Sequence, residues 1–122
     1  KAMQKGNGPS SDKTVTFISS QAAEYGGYQL TPYSASKGFL NSFSNSLSKE
    51  YSSHGIRSNV LSLGKFKTKQ LMSNFNWNVK KATQDIPLGY LGEPKSIADF
   101  VDNFIYNSSY LSGANIKISG GR

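Results

Sequence analysis

The sequence predicts an α/β protein built on a parallel sheet, and three stretches carry that expectation. Thr14-Val15-Thr16-Phe17-Ile18 is β-branched and aromatic without a charge, and Ser19-Ser20 follow, as expected for a strand buried on both faces of such a sheet. From Tyr33 to His54 the residues Phe39, Leu40, Phe43, Leu47 and Tyr51 recur every three or four positions, which is helical spacing with one apolar stripe. Ile56 to Leu63, IRSNVLSL, reads as a second strand.

Size and composition bound the rest. At 122 residues the chain falls within the range of one domain. A hydrophobic fraction of 36% with seven Phe, seven Tyr and one Trp allows a lean core. The chain has no cysteine, which excludes disulfides and thiolate metal sites and permits a reducing compartment. No apolar run approaches the ~20 residues that span a bilayer, and no signal peptide opens the chain. The expectation is a soluble, cytoplasmic protein with no membrane partner.

The net charge is +7, much of it from Lys65, Lys67, Lys69, Lys80 and Lys81. Such a cluster attracts nucleic acid, a phosphate-bearing cofactor or an acidic carrier protein, or is simply a solvated basic face. No nucleic-acid motif accompanies it, so nucleic acid is not an expected partner.

Taken in order, Lys1–Lys5 reads as a helix end broken by Gly6, Gly8 and Pro9. Opening on a helix's last turn suggests that sequence upstream lies elsewhere. Gln21 to Pro32 form a loop with Gly26-Gly27, where Tyr25 and Tyr28 either line a pocket or pack on the loop. On the helix that follows, Asn41, Ser44, Ser48 and Lys49 lie opposite the apolar stripe, and Gly55 stops it. His54, the single histidine, sits at that end and is not expected to be catalytic.

Beyond the second strand, Gly64 opens a loop, and Lys69 to Thr83 form an irregular amphipathic segment with Leu71, Met72, Phe75, Trp77 and Val79. Ile86 to Pro94 is turn-rich, and Pro94 suits the first turn of a helix whose core positions are Ile97, Ala98, Val101, Phe104 and Ile105. Ser108 to Gly113 turn into a last strand, Ala114 to Ile118, followed by Ser119-Gly120-Gly121.

Chemistry concentrates in Tyr33-Ser34-Ala35-Ser36-Lys37. Positions i and i+4 share a helical face, so phenol and ammonium can point into one space. A free phenol, with pKa near ~10, lies about three units too high for neutral acid-base work, roughly 4 kcal/mol. A nearby cation favours the phenolate, and a lysine can also hydrogen-bond a ribose. A solvated helix face would carry the same spacing. The context adds weight, because a hydroxyl at a strand's C-terminal end suits a site in an open α/β sheet.

The strand, the serine pair, the glycine loop and Tyr33-x-x-x-Lys37, in this order, resemble the active-site region of the short-chain dehydrogenase/reductase family. The resemblance runs from about Thr14 to Gly121. It implies the last three strands, with their helices, of a doubly wound, Rossmann-like sheet, and makes residues 1–122 a single partial domain, the catalytic half. In such a protein Tyr33 would be the general acid/base, Lys37 would lower its pKa and bind the nicotinamide ribose, and Ser20 would orient the substrate oxygen. NAD or NADP would be the cofactor, held by Tyr33, Lys37, Gly64, Phe66 and Thr68. The substrate would be a small carbonyl or alcohol, the assembly a homo-oligomer, and residues 69–83 the cover over the substrate, where the residues alone read equally as an ordinary packed helix.

Departures accompany the match. Leu63 stands where the family has proline before Gly64, Tyr90 where many members have arginine, and Ser119 where many have aspartate, so a C-terminal polar contact is expected to be missing. No Gly-x-x-x-Gly-x-Gly follows a strand, so the N-terminal, dinucleotide-binding half is expected from another chain or fragment, and Asn7 is not assigned to the proton relay. Two other readings stand beside this one: a non-catalytic interaction scaffold of the same fold, and specifically a 3-oxoacyl-carrier-protein reductase docked through the lysines.

Overall fold

The computed structural model describes residues 13–122; the helix end read at Lys1–Lys5 and the loop after it lie outside the described residues. The elements are β1 (Lys13–Ser20), α1 (Ala22–Tyr25), α2 (Thr31–Tyr51) with a 3-10 turn Ser52–His54, β2 (Ile56–Leu63), α3 (Lys69–Asn74), α4 (Val79–Ala82), α5 (Pro94–Phe100) continuing as a π-helical turn Val101–Ile105, and β3 (Asn115–Ile118). The three strands are parallel in the order β1-β2-β3. Phe17 pairs with Val60, and Val60 with Asn115.

The central strand, β2, is the buried one. Its residues 56 and 58–62 are all buried, and its alternating side chains reach opposite faces. On one face Ser58 Oγ lies 2.8 Å from Ser44 Oγ of α2, both fully buried. On the other, Arg57 Nη1 donates to the carbonyls of Ile105, Ser108 and Leu111, and Nη2 to that of Tyr106. One guanidinium thereby satisfies the carbonyls that a helix end leaves without partners. Asn59 Nδ2 donates to Leu111 O while Asn59 Oδ1 accepts from Ala114 N, which fixes the entry to β3.

β1 departs from the expected double burial: it lies at the sheet edge, most of its residues are half-buried, and Ile18 is 43% exposed. Among the described residues, nothing pairs with its outer edge. The strand runs through Ser20, and the serine pair forms its C-terminal end as expected.

The stripe read for α2 is corrected as well. Phe39 is 62% exposed and Phe43 is also exposed, while Ser44, assigned to the opposite side, is the helix's buried residue. A helix lying close on a strand needs a small side chain at the point of contact, and the Ser44–Ser58 bond fills that place. The two rings instead stack on each other, with Phe17 edge-on to Phe43. Gly55, at φ 72°, takes the left-handed conformation that ends a helix.

The α5 stripe shifts for a different reason. The bond from Tyr106 N to Val101 O widens the helix at the π turn, and one extra residue rotates later positions by about 100°. Ile105 is fully buried, whereas Phe104 and Ala98 are exposed. Beyond β2, Met72, Ala82, Ile86 and Leu91 form a small core with Leu71 and Phe75 packed on it. Among the described residues no helix is long and apolar enough to cross a membrane.

Candidate active site

A cleft of about 690 Å³ opens at the C-terminal ends of β1 and β2, the edge where open α/β sheets bind ligands. Ser20, Tyr33, Lys37, Gly64, Phe66 and Thr68 all line it. Six residues read from three separate stretches of sequence are thus brought to one surface.

Each side chain is set by its element. Parallel pairing puts Ser20 opposite Leu63, at the ends of both strands. Its Oγ accepts from Ala22 N at 3.2 Å, starting α1. Ser19 points the other way: it is buried, and its Oγ donates to Lys37 O at 3.1 Å. Of the pair, only Ser20 keeps a hydroxyl proton that is donated to no described residue.

Tyr33 lies in the first turn of α2, which Pro32 helps to start. Its ring is 45% exposed, and Lys37 Nζ lies 5.7 Å from the ring centroid. Lys37 Nζ donates to Ile18 O at 2.8 Å. An ammonium has three donors, so two remain after that bond. The tie between the helix and the strand end holds the amine at the cleft.

The loop after β2 is fixed by two close approaches. A Cβ on Gly64 would lie 2.8 Å from Ser119 Cα, so only glycine lets the tail pass. Phe66 pairs with Gly92, through Lys67 N to Gly92 O and Gly92 N to Lys65 O. The Phe66 N–H donates to no described residue. Thr68 is the N-cap of α3, its Oγ1 accepting from Leu71 N at 3.1 Å. The replacement of proline by Leu63 leaves the loop ordered by these contacts.

The segment from α3 to Asp85, called the roof below, borders the cleft through Gln70, Leu71 and Asn74. It turns through Asn76 and Trp77, both at positive φ. Lys65 holds it: Nζ donates to Asp85 Oδ1 at 2.6 Å and to Ala82 O at 3.2 Å, and lies 4.8 Å from the Phe75 centroid. Asp85 also pairs with Arg122, Oδ2 to Nε at 2.9 Å. Partial burial pushes the Asp85 carboxyl up, but the Lys65 hydrogen bond and the charges of Arg122 and Lys65 outweigh it, and the group sits below the ordinary carboxylate range.

This pair also answers the expectation of a missing C-terminal contact. With Tyr90 and Ser119 in place of charges, the tail is tied to the turn-rich segment by Asp85–Arg122 and by Leu88 N to Gly120 O. At the opposite lip, Lys117 Nζ lies 2.6 Å from Glu24 Oε2 and donates to Tyr25 Oη at 3.3 Å. These bonds to Glu24 and Tyr25 raise the Lys117 pKa.

Sequence reading missed several cleft residues. Gln21, Gln70, Asn74 and Arg122 all line it. Gln21 is flagged only by its place after Ser20, and Arg122 only by the Gly-Gly before it. Tyr25 and Tyr28, read as either pocket or packing residues, both line the cleft and are largely exposed. His54 lies at the far end of α2 beside Tyr51 and Ser53, away from the cleft. Of the lysine cluster, Lys65 is engaged by Asp85 and Lys67 lies 3.6 Å from Glu93. Lys69, Lys80 and Lys81 are exposed and form no ion pair with a described residue.

A parallel α/β sheet with a cleft at its strand ends is part of a doubly wound fold, and comparison with known proteins agrees. Residues 1–122 match the family described as enoyl-(acyl carrier protein) reductase. Human (3R)-3-hydroxyacyl-CoA dehydrogenase is 32% identical over 109 residues, 88% of this chain and 42% of that protein. The 1,6-dihydroxycyclohexa-2,4-diene-1-carboxylate dehydrogenase of Acinetobacter baylyi is 31% identical over 122 residues, 88% of this chain and 46% of that one. A Brucella melitensis short-chain dehydrogenase/reductase superposes with a TM-score of 0.78 at 27% identity, covering 90% of this chain and 45% of its own. An NADPH-bound short-chain oxidoreductase from Pseudomonas aeruginosa gives 0.79 at 25%, covering 90% and 46%. The chain belongs to the short-chain dehydrogenase/reductase family. It spans less than half the length of these relatives.

Proposed function

We propose that the protein is an NAD(P)-dependent oxidoreductase that interconverts a carbonyl and a hydroxyl. The single observation that carries this reading is the convergence of Ser20, Tyr33 and Lys37 on one cleft at the strand ends. Tyr33 passes a proton to or from the substrate oxygen. Ser20 donates a hydrogen bond to that same oxygen, and Lys37 stands beside the Tyr33 ring with donors left for the cofactor.

The residues present fit a nicotinamide cofactor. Lys37 has donors to spare for a ribose, the Phe66 N–H that donates to no described residue suits a carboxamide, and among the described residues no Asp or Glu lines the cleft to repel phosphate. NAD or NADP supplies or accepts the hydride. Thr68 offers its hydroxyl on the phosphate side, and Gly64 lets the loop lie flat against the tail. The NADPH-bound relative supports the cofactor class.

The rest of the fold packs against β1 in this reading, from the same or another polypeptide, and the assembly is a homo-oligomer in the cytoplasm. The open edge of β1, exposed Ile18 and the Phe39–Phe43 shelf support such covering. A sheet edge left open is a template for unwanted pairing.

Tyr33→Phe in the full-length protein tests the activity. Turnover of carbonyl substrates is expected to fall by orders of magnitude while cofactor binding survives. Unchanged turnover would remove Tyr33 from its role, and no turnover by the unaltered full-length protein would favour the scaffold reading.

A second, narrower reading is reduction of a 3-oxoacyl group on an acidic carrier protein. The free lysines Lys69, Lys80 and Lys81 on the roof support it, as do the acyl-CoA and acyl-carrier names among the relatives. Changing these three lysines to Glu is expected to lower activity on carrier-bound but not on free substrate; equal loss on both would count against it.

A further inference from the structure

Arg122 lines the cleft with Ser20 and Tyr33, and its contacts decide how it stands there. Its main-chain oxygen accepts from Gln21 Nε2 and from Ser119 Oγ. The residue is therefore fastened to the position directly after Ser20. Its Nε lies 2.9 Å from Asp85 Oδ2, while Nη1 and Nη2 donate to no described residue. A guanidinium anchored through Nε keeps its outer edge as a planar fork, the shape that two oxygens of a carboxylate or phosphate match.

Charge favours the same kind of ligand. Lys65 and Arg122 share the one carboxylate of Asp85, so the trio keeps a net positive charge. Lys37 adds another, and among the described residues no acidic one lines the cleft. The Arg122 side chain is 44% exposed, half-sunk at the cleft margin. An arginine tied down on its inner side and open on its outer side is poorly explained by packing alone, because Asp85 already has Lys65 as a partner.

We propose that Arg122 recognises an anionic group, a carboxylate or a phosphate, carried by the substrate whose reacting oxygen meets Ser20 and Tyr33. The location of that oxygen rests on the oxidoreductase reading; the anion contact does not. Asp85 is the positioning residue that aims the fork, and Gln21 fixes the main chain beneath it.

The test uses the full-length protein carrying Tyr33→Phe, so that binding is read by calorimetry without turnover. Two matched pairs separate the sources of charge: acetoacetate against methyl acetoacetate for a carboxylate, and acetoacetyl-CoA against its N-acetylcysteamine thioester for phosphate. In at least one pair the charged member is expected to bind about tenfold tighter or more, and R122Q is expected to abolish that preference while leaving the neutral member unchanged. Equal binding within both pairs, or a preference that survives R122Q, overturns the proposal.

The Gln21 bond is to the main chain, so R122Q retains it. Should R122Q still fail to fold, R122K keeps the charge without the fork: a preference reduced threefold or more supports the proposal, and an unchanged one overturns it. Wild-type protein that binds the anions selectively yet turns over none of the four compounds would sink the oxidoreductase reading and leave Arg122 its role.

Discussion

Lys65 Nζ stands 2.6 Å from Asp85 Oδ1, joining the loop after β2 to the end of the roof that borders the cleft. Lys65 is 15% exposed and Asp85 46%, so solvent screens the pair and its worth is about 1 kcal/mol or less. Lys65→Met also loses the bond to Ala82 O and the contact with Phe75. It should loosen the roof more than Asp85→Asn does, which hydrogen exchange over residues 69–85 checks.

The same carboxylate sets a pH dependence. Its folded pKa is depressed, so its contribution is complete above the unfolded value near ~3.9 and is lost as pH falls through the folded value. Stability measured from neutral pH downward should therefore fall less steeply in Asp85→Asn, and only below the ordinary carboxylate range. Parallel curves for the two proteins would contradict this.

Ser44 and Ser58 share one buried hydrogen bond. Ser44→Ala leaves the Ser58 hydroxyl buried and unpaired, at a cost of about 1–3 kcal/mol. The double change, Ser44→Ala with Ser58→Ala, removes both polar groups and should cost less than the two single changes added together. Urea midpoints of the four proteins close the cycle, and strict additivity would show the bond to be unimportant.

Arg57 donates to four carbonyls between Ile105 and Leu111. Arg57→Met keeps much of the stem but takes a donor from each, Ser108 O keeping Leu111 N and Leu111 O keeping Asn59 Nδ2, and should destabilise by roughly 1–3 kcal/mol. Exchange protection should be lost first around the π turn and β3, because that is where those carbonyls lie.

Gly64→Ala would place a methyl 2.8 Å from Ser119 Cα and 3.1 Å from Ser119 O. Backbone cannot swing aside as a side chain can, so a cost of about 1–3 kcal/mol is expected. The tail that carries Arg122 should move with it, and a thermal melt together with anion binding reads both effects.

Much of this was legible in the sequence. The run Ile56–Leu63 matches β2 end to end, because a stretch buried on both faces leaves its pattern in composition alone. Gly55 and Pro94 marked helix boundaries through backbone geometry that few other residues supply. Ser20, Tyr33 and Lys37 were found by spacing and order, and the fold brings them to one cleft.

What stayed hidden depended on contacts distant in sequence. Apolar spacing placed Phe39 and Phe43 inward, yet the packing contact with β2 selects the small Ser44. Phe104 was misplaced because periodicity assumes a constant turn, and the π turn breaks it; Ala98 lies ahead of that turn and is simply exposed on α5. Asp85 had no signal at all. Its role exists only because Lys65 and Arg122, 20 and 37 positions away, are folded beside it.

The bond from Lys37 Nζ to Ile18 O means that this long side chain surrenders its rotational freedom when the protein folds. Immobilising a free lysine takes up to about 1.5–2 kcal/mol, and here that loss is met before any ligand arrives. A ribose entering the cleft finds an amine already held in place, with two protons still to give.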